Sequence, residues 1–452
     1  MKKLPIYLIL SLCISFLALS CSDDDDDKQM EQQTKTIVEV AEAKGNTSLA
    51  AALTKADLVD ALSGTTDYTV FATTNEAFDK LLTTIGQTSL EDVPASVLKE
   101  ILLYHVVKGK VLSTDIMAGK TATLQGGELT LSTSGGIKVN EVAVVSPFDV
   151  EATNGVIHTV DEVLVPTSVS KFMNTVLEPA YFNKSFTTLV KAISKADLVE
   201  TLLNTSNLTI FAPDNDAFVA SGINPENMSS EDLAPVLTYH VLGSKVLSSE
   251  IPREATTLNG NKLFFSLVSS GNFINGSTKI KAVDIQSGSG VVHVIDSVLL
   301  PPVGNIVETA IGLSENGEFT SLIAALLRTA DEGTPEENLL IALGGAGPFT
   351  VFAPTNAAFQ TLLDSNSEWD TLSDIPLETL ISVLKYHVVP AKAFDKDIAG
   401  ALNASNELST LLDEMITVDL NTLKINDVSK IIDVNTNATN GVIHVIDMVL
   451  VP

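Results

Sequence analysis

Six histidines are the residues of this 452-residue chain whose type and placement most invite a chemical reading. Three directly follow a tyrosine, at Tyr104-His105, Tyr239-His240 and Tyr386-His387, and three sit in apolar runs, at His158, His293 and His444. Taken in chain order they pair off 53, 53 and 57 residues apart. An imidazole titrates near neutrality and binds transition metals, so the set raises proton transfer and a metal centre as candidate chemistry. Zinc, however, normally takes three or four ligands from Cys, His and carboxylate, often at short spacing. No His-x-His occurs, and of the two cysteines Cys13 falls in the amino-terminal apolar run, leaving Cys21 alone. His158 with Asp161, His293 with Asp296 and His444 with Asp447 look like a base and its orienting carboxylate, but strand positions three apart face opposite ways. A serine nucleophile would need that dyad or a G-x-S-x-G elbow, and the chain has no such elbow. The glycines from Gly344 to Gly347 precede a strand, whereas phosphate loops follow one and open a helix, so they read as a turn. The expectation is therefore no catalytic residue, no metal and no cofactor, with each histidine a buried, hydrogen-bonded organiser.

The elements that hold these residues recur in threes. NGVIHTVDEVLVP at 154–166 returns as SGVVHVIDSVLLP at 289–301 and NGVIHVIDMVLVP at 440–452. TVFATTNEAF at 69–78 returns as TIFAPDNDAF at 209–218 and TVFAPTNAAF at 350–359, with the Tyr-His pairs in step. A period of that length suits a compact domain, not a solenoid repeat. We place the three domains at 35–166, 168–301 and 303–452, with linkers of a few residues. Inside a domain, Leu49, Ala52, Leu53 and Ala56 share a helical face, and Asp57 is expected to cap a second short helix. TVF, TIF and TVF read as short strands leading into a helix, with Thr73 and Glu76 forming a capping box in the first domain. PASVLKEILLYHVV at 94–107 starts a helix on proline. GELTLST at 127–133, KLFFSLV at 262–268 and the closing GVIH run read as strands, and TADEGTPEENLL at 329–340 as a loop insertion of the third domain. Helices followed by strand runs argue for an α+β fold.

TVFAPTNxAF, then Tyr-His after a helix, then NGVIHVIDxVLVP closely resembles the fasciclin (FAS1) domain, over nearly all of the chain beyond its first 34 residues. The resemblance implies, for each domain, a wedge of two β-sheets with about seven strands flanked by helices. It also implies an extracellular adhesion or matrix-binding role without catalysis. Thr73 stands where the pattern usually has Pro, Ser289 where it has Asn, and the third domain carries the insertion. The family ties two places to adhesion. One is the Tyr-His region, which maps to Tyr104-His105, Tyr239-His240 and Tyr386-His387. The other is an Asp-Ile-type pair before the NGVIH strand, which maps to Asp149-Val150, Asp284-Ile285 and, displaced by two extra residues, Asp433-Val434. Both sets are contacts or fold-determining residues. For the histidines the structural role is a last-turn residue bonding free carbonyls.

Lys2 and Lys3, the apolar run from Leu4 to Leu19 and small residues before Cys21 describe a secretory signal over 1–20. A cysteine at the cut resembles the lipobox of bacterial lipoproteins, although Ala18 sits where Leu is usual, and implies membrane attachment through an acylated Cys21. Residues 21–34 form a spacer in which Ser22 and Asp23 to Asp27 look like an export address for surface lipoproteins. That places the domains outside the outer membrane. A formal charge of −29 excludes nucleic acid as a partner, since no basic footprint exists to displace phosphate counterions. The lone tryptophan, Trp369, lies in the polar stretch SNSEWDTLSD and reads as exposed, a local packing anchor more than a sugar platform. The expected partner is an extracellular protein or polysaccharide, bound by multivalent adhesion. The alternative is a glycan-binding accessory lipoprotein of an outer-membrane nutrient-uptake system.

Overall fold

A computed structural model describes residues 35–315, 317–398, 405–419 and 422–452. The signal, Cys21 and the acidic run Asp23 to Asp27 lie outside the described residues. The chain divides into two compact units, one built on Ala95–Thr167 with the segment up to Thr84, the other containing Ser168–Pro452.

Each of the three domains carries seven strands in one shared order. In the first, the opening strand Tyr68–Thr73 lies between a short edge strand, Val106–Lys108, and the closing strand, Gly155–Val160. Beyond the closing strand come Val142–Ala152, Lys138–Val139, Glu128–Ser132 and Gly119–Ala122. The eleven-residue strand Val142–Ala152 joins the two arms of the wedge, pairing at its start with Lys138–Val139 and along its length with the closing strand. Opening and closing strands are parallel, and their register repeats: Phe71 lies opposite His158, Phe211 opposite His293, Phe352 opposite His444. All six residues of each closing strand are buried, which is why GVIH reads as an apolar run without alternation. Its glycine is obligatory at the entry of the first domain, because a Cβ on Gly155 would sit 1.9 Å from the Tyr68 carbonyl oxygen.

Helices cover the central strands on one side and the wedge encloses a second core on the other. In the first domain that second core is Phe71, Tyr104, Val107, Leu129, Val139, Val160 and Leu164. The helix Thr47–Lys55 buries Leu49, Ala52 and Leu53, the face read from its spacing. Asp57 does not cap the next helix. Its φ is +55°, the Asp57 N–H reaches the Thr54 carbonyl and the Leu58 N–H the Leu53 carbonyl. Those two bonds are a Schellman motif, with Asp57 in the left-handed position glycine usually takes. Asp197 repeats it in the second domain, at φ +57°.

Two further expectations shift. The helix after the opening strand is capped by Thr74, whose hydroxyl accepts the Ala77 N–H at 3.1 Å, and not by Thr73. Thr73 still belongs to the strand, as Pro213 and Pro354 do in the other domains. The third-domain insertion is only partly loop. The helix Thr320–Glu332 runs on through Thr329, because Leu322, Ala325, Leu326 and Thr329 continue one buried stripe, and a second helix starts at Leu339. The buried Thr329 hydroxyl accepts the Leu339 N–H at 3.1 Å and ties the two together.

Standing in place of a proline leaves Thr73 with the only buried side-chain polar atom, among the described residues, that lacks a hydrogen-bond partner. Thr73→Val keeps the shape and removes that orphan hydroxyl, whose burial costs about 1–3 kcal/mol. The first domain should then melt later, by roughly 3–5 °C for each kcal/mol recovered. Differential scanning calorimetry of both proteins reads this, and a lower melting temperature would refute it.

Candidate functional site

The helix Ala95–Tyr104 delivers Tyr104 and His105 to opposite cores, and each side chain then closes a loop of contacts. The His105 ring donates from Nδ1 to the Ile101 carbonyl at 2.8 Å, one turn back, and its Nε2 accepts the Leu164 N–H at 2.9 Å. His240 does the same with Val236 and Leu299, and His387 with Val383 and Leu450. Since Nε2 accepts a backbone N–H, the proton must be on Nδ1 and the ring neutral. Burial drives all three imidazoles down to about 4, against a smaller opposing pull from the carbonyl each one meets. The tyrosine hydroxyls act on the other side. Tyr104 donates to the Glu128 carbonyl at 2.8 Å and accepts from Asn140 Nδ2 at 2.9 Å, so it pins the wedge hairpins to the helix end. Tyr239 with Lys262 and Asn275, and Tyr386 with Met415 and Asn426, repeat the arrangement.

The second histidine of each domain sits beneath a bulge. Between Val145 and Val150 the long strand advances past a single closing-strand residue, His158. Asp149, in the bulge at φ +56°, gives its N–H to His158 Nδ1 at 3.3 Å, while His158 Nε2 donates to the Val111 carbonyl at 2.9 Å. Asp284 over His293 and Val246 is the second copy. The carboxylates of Asp149 and Asp284 turn back to the N–H and hydroxyl groups of Ser113 and Ser248. Those bonds hold the Asp284 carboxyl below its ordinary range. Val150 and Ile285 follow the bulge and are half-buried.

In the third domain the mapped residue changes. Asn435, not Asp433, donates its N–H to His444 Nδ1, has φ +67° and accepts the Asp395 N–H on its side chain. Counting back nine residues from the histidine reaches Asp149, Asp284 and Asn435 alike. The displacement by two arises because Asp433 lies two residues before the true bulge residue, and separately the first domain's bulge is two residues longer than the others. Asp433 therefore corresponds to Ala282, since both lie opposite the residue after the histidine, and Val434 leads into the bulge.

The carboxylates three residues after these histidines point elsewhere: Asp296 accepts the Lys279 N–H and Asp447 the Lys430 N–H. All six rings are at most 4% exposed, with both nitrogens of each engaged by backbone. Among the described residues no group of three or more His, Cys, Asp and Glu is placed to hold a metal ion. Trp369 is half-buried against the helix-side core of the third domain, so it is not an exposed platform.

Two polar positions of the framework escaped the reading of the sequence. Thr69 donates to the Gly109 carbonyl and accepts the Val111 N–H, and Thr209 and Thr350 repeat this. Buried Asn154 bonds the Ile37 N–H and the Leu62 carbonyl, as Asn440 does with Ile306 and Leu343. Ser289, which replaces this asparagine in the second domain, instead accepts the Asn207 N–H. The signal for both was in plain sight, namely a polar residue kept in step inside an apolar motif.

A protein-family profile described as "Fasciclin domain" matches residues 44–166, 184–301 and 318–452. The chain is 30% identical over 425 residues to "Transforming growth factor-beta-induced protein ig-h3" of Sus scrofa, covering 93% of this chain and 58% of that one. It is 29% identical over 427 residues to "Periostin" of Homo sapiens, covering 92% and 47% respectively. One domain's length, 133 residues, is 44% identical to "Protein sll1483" of Synechocystis, covering 29% of this chain and 73% of that protein. The chain thus spans about half the length of the two animal relatives.

The buried imidazoles make a signed prediction for pH. Their folded values near 4 lie below the ordinary 6.5, so below about 6.5 the unfolded chain takes up protons that the folded chain refuses. Their contribution is complete above about 6.5 and lost as pH falls toward 4, by at most about 1.4 kcal/mol per pH unit for each ring. Urea midpoints at pH 7.5, 6 and 5 should fall in that order. His240→Ala should flatten that slope and cost about 1–3 kcal/mol, because the Leu299 N–H and Val236 carbonyl lose their partner. An unchanged melt in that variant would show the ring is not a structural clamp.

Proposed function

The chain belongs to the fasciclin domain family, and from that premise we propose that it is a non-catalytic adhesion lipoprotein, held on the outer surface of a bacterial outer membrane through an acylated Cys21. Fasciclin domains are associated with cell adhesion and with extracellular roles other than catalysis. The observation that carries the reading is the internal use of the chemistry-bearing groups. Six histidines and three tyrosines, the side chains a reaction would draw on, are buried and bonded to the domain's own backbone and asparagines. What each domain offers a partner is its exterior. The partner is an extracellular protein or polysaccharide, and several linked weak contacts on one surface multiply avidity without any single strong site. No helix among the described residues is long and apolar enough to cross a membrane, and a lipid on Cys21 supplies the attachment. With a formal charge of −29 the chain remains soluble at a surface and repels polyanions.

Attachment is tested by metabolic labelling with a clickable fatty acid. Cys21→Ala should abolish the label and release a folded protein, and labelling that persists would sink the lipoprotein. Replacing Asp23 to Asp27 with alanine should protect the domains from protease added to intact cells, whereas equal digestion would reduce the run to a spacer. For the partner, cells lacking the protein should aggregate and attach less than the parent strain. Normal attachment combined with discrete hits on a glycan array would replace adhesion by glycan capture.

A further inference from the structure

The second and third domains lie in one compact unit, and the contacts between them join a lysine position present in all three repeats, Lys392, to residues that depart from their counterparts, Phe264, Gly276 and Phe394. The side chain of Phe264, on the wedge strand Lys262–Val268, lies 5.9 Å from the Phe394 ring, and Lys392 Nζ sits 4.0 Å from the Phe264 centroid. Ser266 donates to Asp397 at 2.6 Å, Arg253 faces the same carboxylate at 3.7 Å, and Lys396 approaches the Phe273 ring. Asn435 Nδ2 donates to Ser277 Oγ at 3.1 Å, and Asn437 to the Tyr239 hydroxyl at 3.4 Å. Burial pushes the Lys392 amine down to about 7, against a smaller opposing pull from the Glu254 carboxylate.

Shared hydrogen bonds fix which residues correspond. The N–H groups of Thr130, Phe264 and Thr417 all bond the asparagine that meets the tyrosine hydroxyl, so they are one position. Thr130 and Thr417 are exposed there, while Phe264 is half-buried. Likewise Leu112 and Leu247 correspond to Phe394, since the next residue of each bonds the bulge side chain. Leu112 and Leu247 are half-buried and Phe394 is 1% exposed. Gly276, next to that asparagine, corresponds to Glu141 and Asp427. A Cβ on Gly276 would meet Phe394 Cβ at 2.6 Å and Asn435 Cγ at 2.8 Å. Both faces of this contact are thus specialised, one only in the second domain and its complement only in the third.

We propose that the second and third domains are a single rigid module, locked by Phe264, Gly276, Lys392 and Phe394, and that the lock occupies the bulge face of the third domain. Neighbouring domains ordinarily move relative to each other unless a dedicated interface holds them. Here the interface takes up Asn435, so an outside partner meets two bulge faces, at Asp149 and Asp284, and not three. Phe148 and Val283, beside those two aspartates, remain 50% and 42% exposed. The count of faces rests on the adhesion reading; the lock does not.

The test uses the full chain and residues the repeats already tolerate. Phe264→Thr with Phe394→Leu restores the counterparts found in the other domains, and Gly276→Asp, made separately, installs the residue Asp427 holds at φ +57°. Both variants should add one calorimetric transition as the module splits, increase the maximum dimension in small-angle scattering and speed amide exchange at Asn435. Unchanged transitions, dimension and exchange in both variants would overturn the lock, whatever the adhesion assays report.

Discussion

A neutral imidazole that spends both nitrogens on backbone is the contact from which each of these domains is organised. His105 takes the N–H of Leu164, just past the closing strand, and returns a proton to the helix that presents it. Remove that ring and the segment after the closing strand has no acceptor, while the last helical turn keeps a buried carbonyl without a donor. Burying unpaired polar groups is what a domain with only about 5–15 kcal/mol of stability can least absorb. The closing strand in turn is the parallel partner of the opening strand, so the clamp sets where the central pair ends. The ring can perform this task only while neutral, and its burial keeps it neutral. The same fact removes it from acid–base chemistry near pH 7 and leaves it to hold the domain together.

The second histidine shows how variation enters without loss of the framework. His158, His293 and His444 each accept an N–H from a left-handed bulge residue, but the bulges differ in length and in identity, with Asp, Asp and Asn. An aspartate can turn its carboxylate to a serine hydroxyl and N–H. Asn435, with an amide, both accepts the Asp395 N–H and donates outward to Ser277. One atom's change from acceptor to donor lets the third bulge reach another domain while it keeps its bonds to its own loop.

Much of this was legible in the sequence, because a residue type kept in step three times in an apolar run must have a buried partner. The buried GVIH run and the helix ending at Tyr-His follow from such runs, whereas the seven strands per domain came from the resemblance to the fasciclin domain. What sequence reading got wrong were choices between adjacent, chemically similar residues. Thr73 and Thr74 can each cap, and only the strand pairing decides. Asp57 suits a cap and a left-handed turn equally, and its φ decides. Asp433-Val434 looks like the Asp-Val of the first domain, yet the bulge is counted from the histidine. The loop insertion misled because TADE has helix formers whose burial depends on Leu322 and Leu326 one turn back.

The joint between the second and third domains was not legible at all, and the reason is general. Phe264 reads as an ordinary strand aromatic and Phe394 as an ordinary apolar loop residue, each unremarkable within its own repeat. Only their meeting gives them meaning, and Gly276 matters only because of what lies 2.6 Å beyond it. Repetition reveals what every domain needs in order to fold, and departures from it at facing positions reveal what one domain needs from its neighbour. For an adhesive chain that distinction sets how avidity arises. Flexibly tethered domains search for sites independently, whereas a locked pair moves as one body with only its second-domain bulge face free, leaving that face and the first domain's to engage a partner. Avidity then depends on whether the partner's spacing matches, since linked sites gain only when geometry lets them engage together.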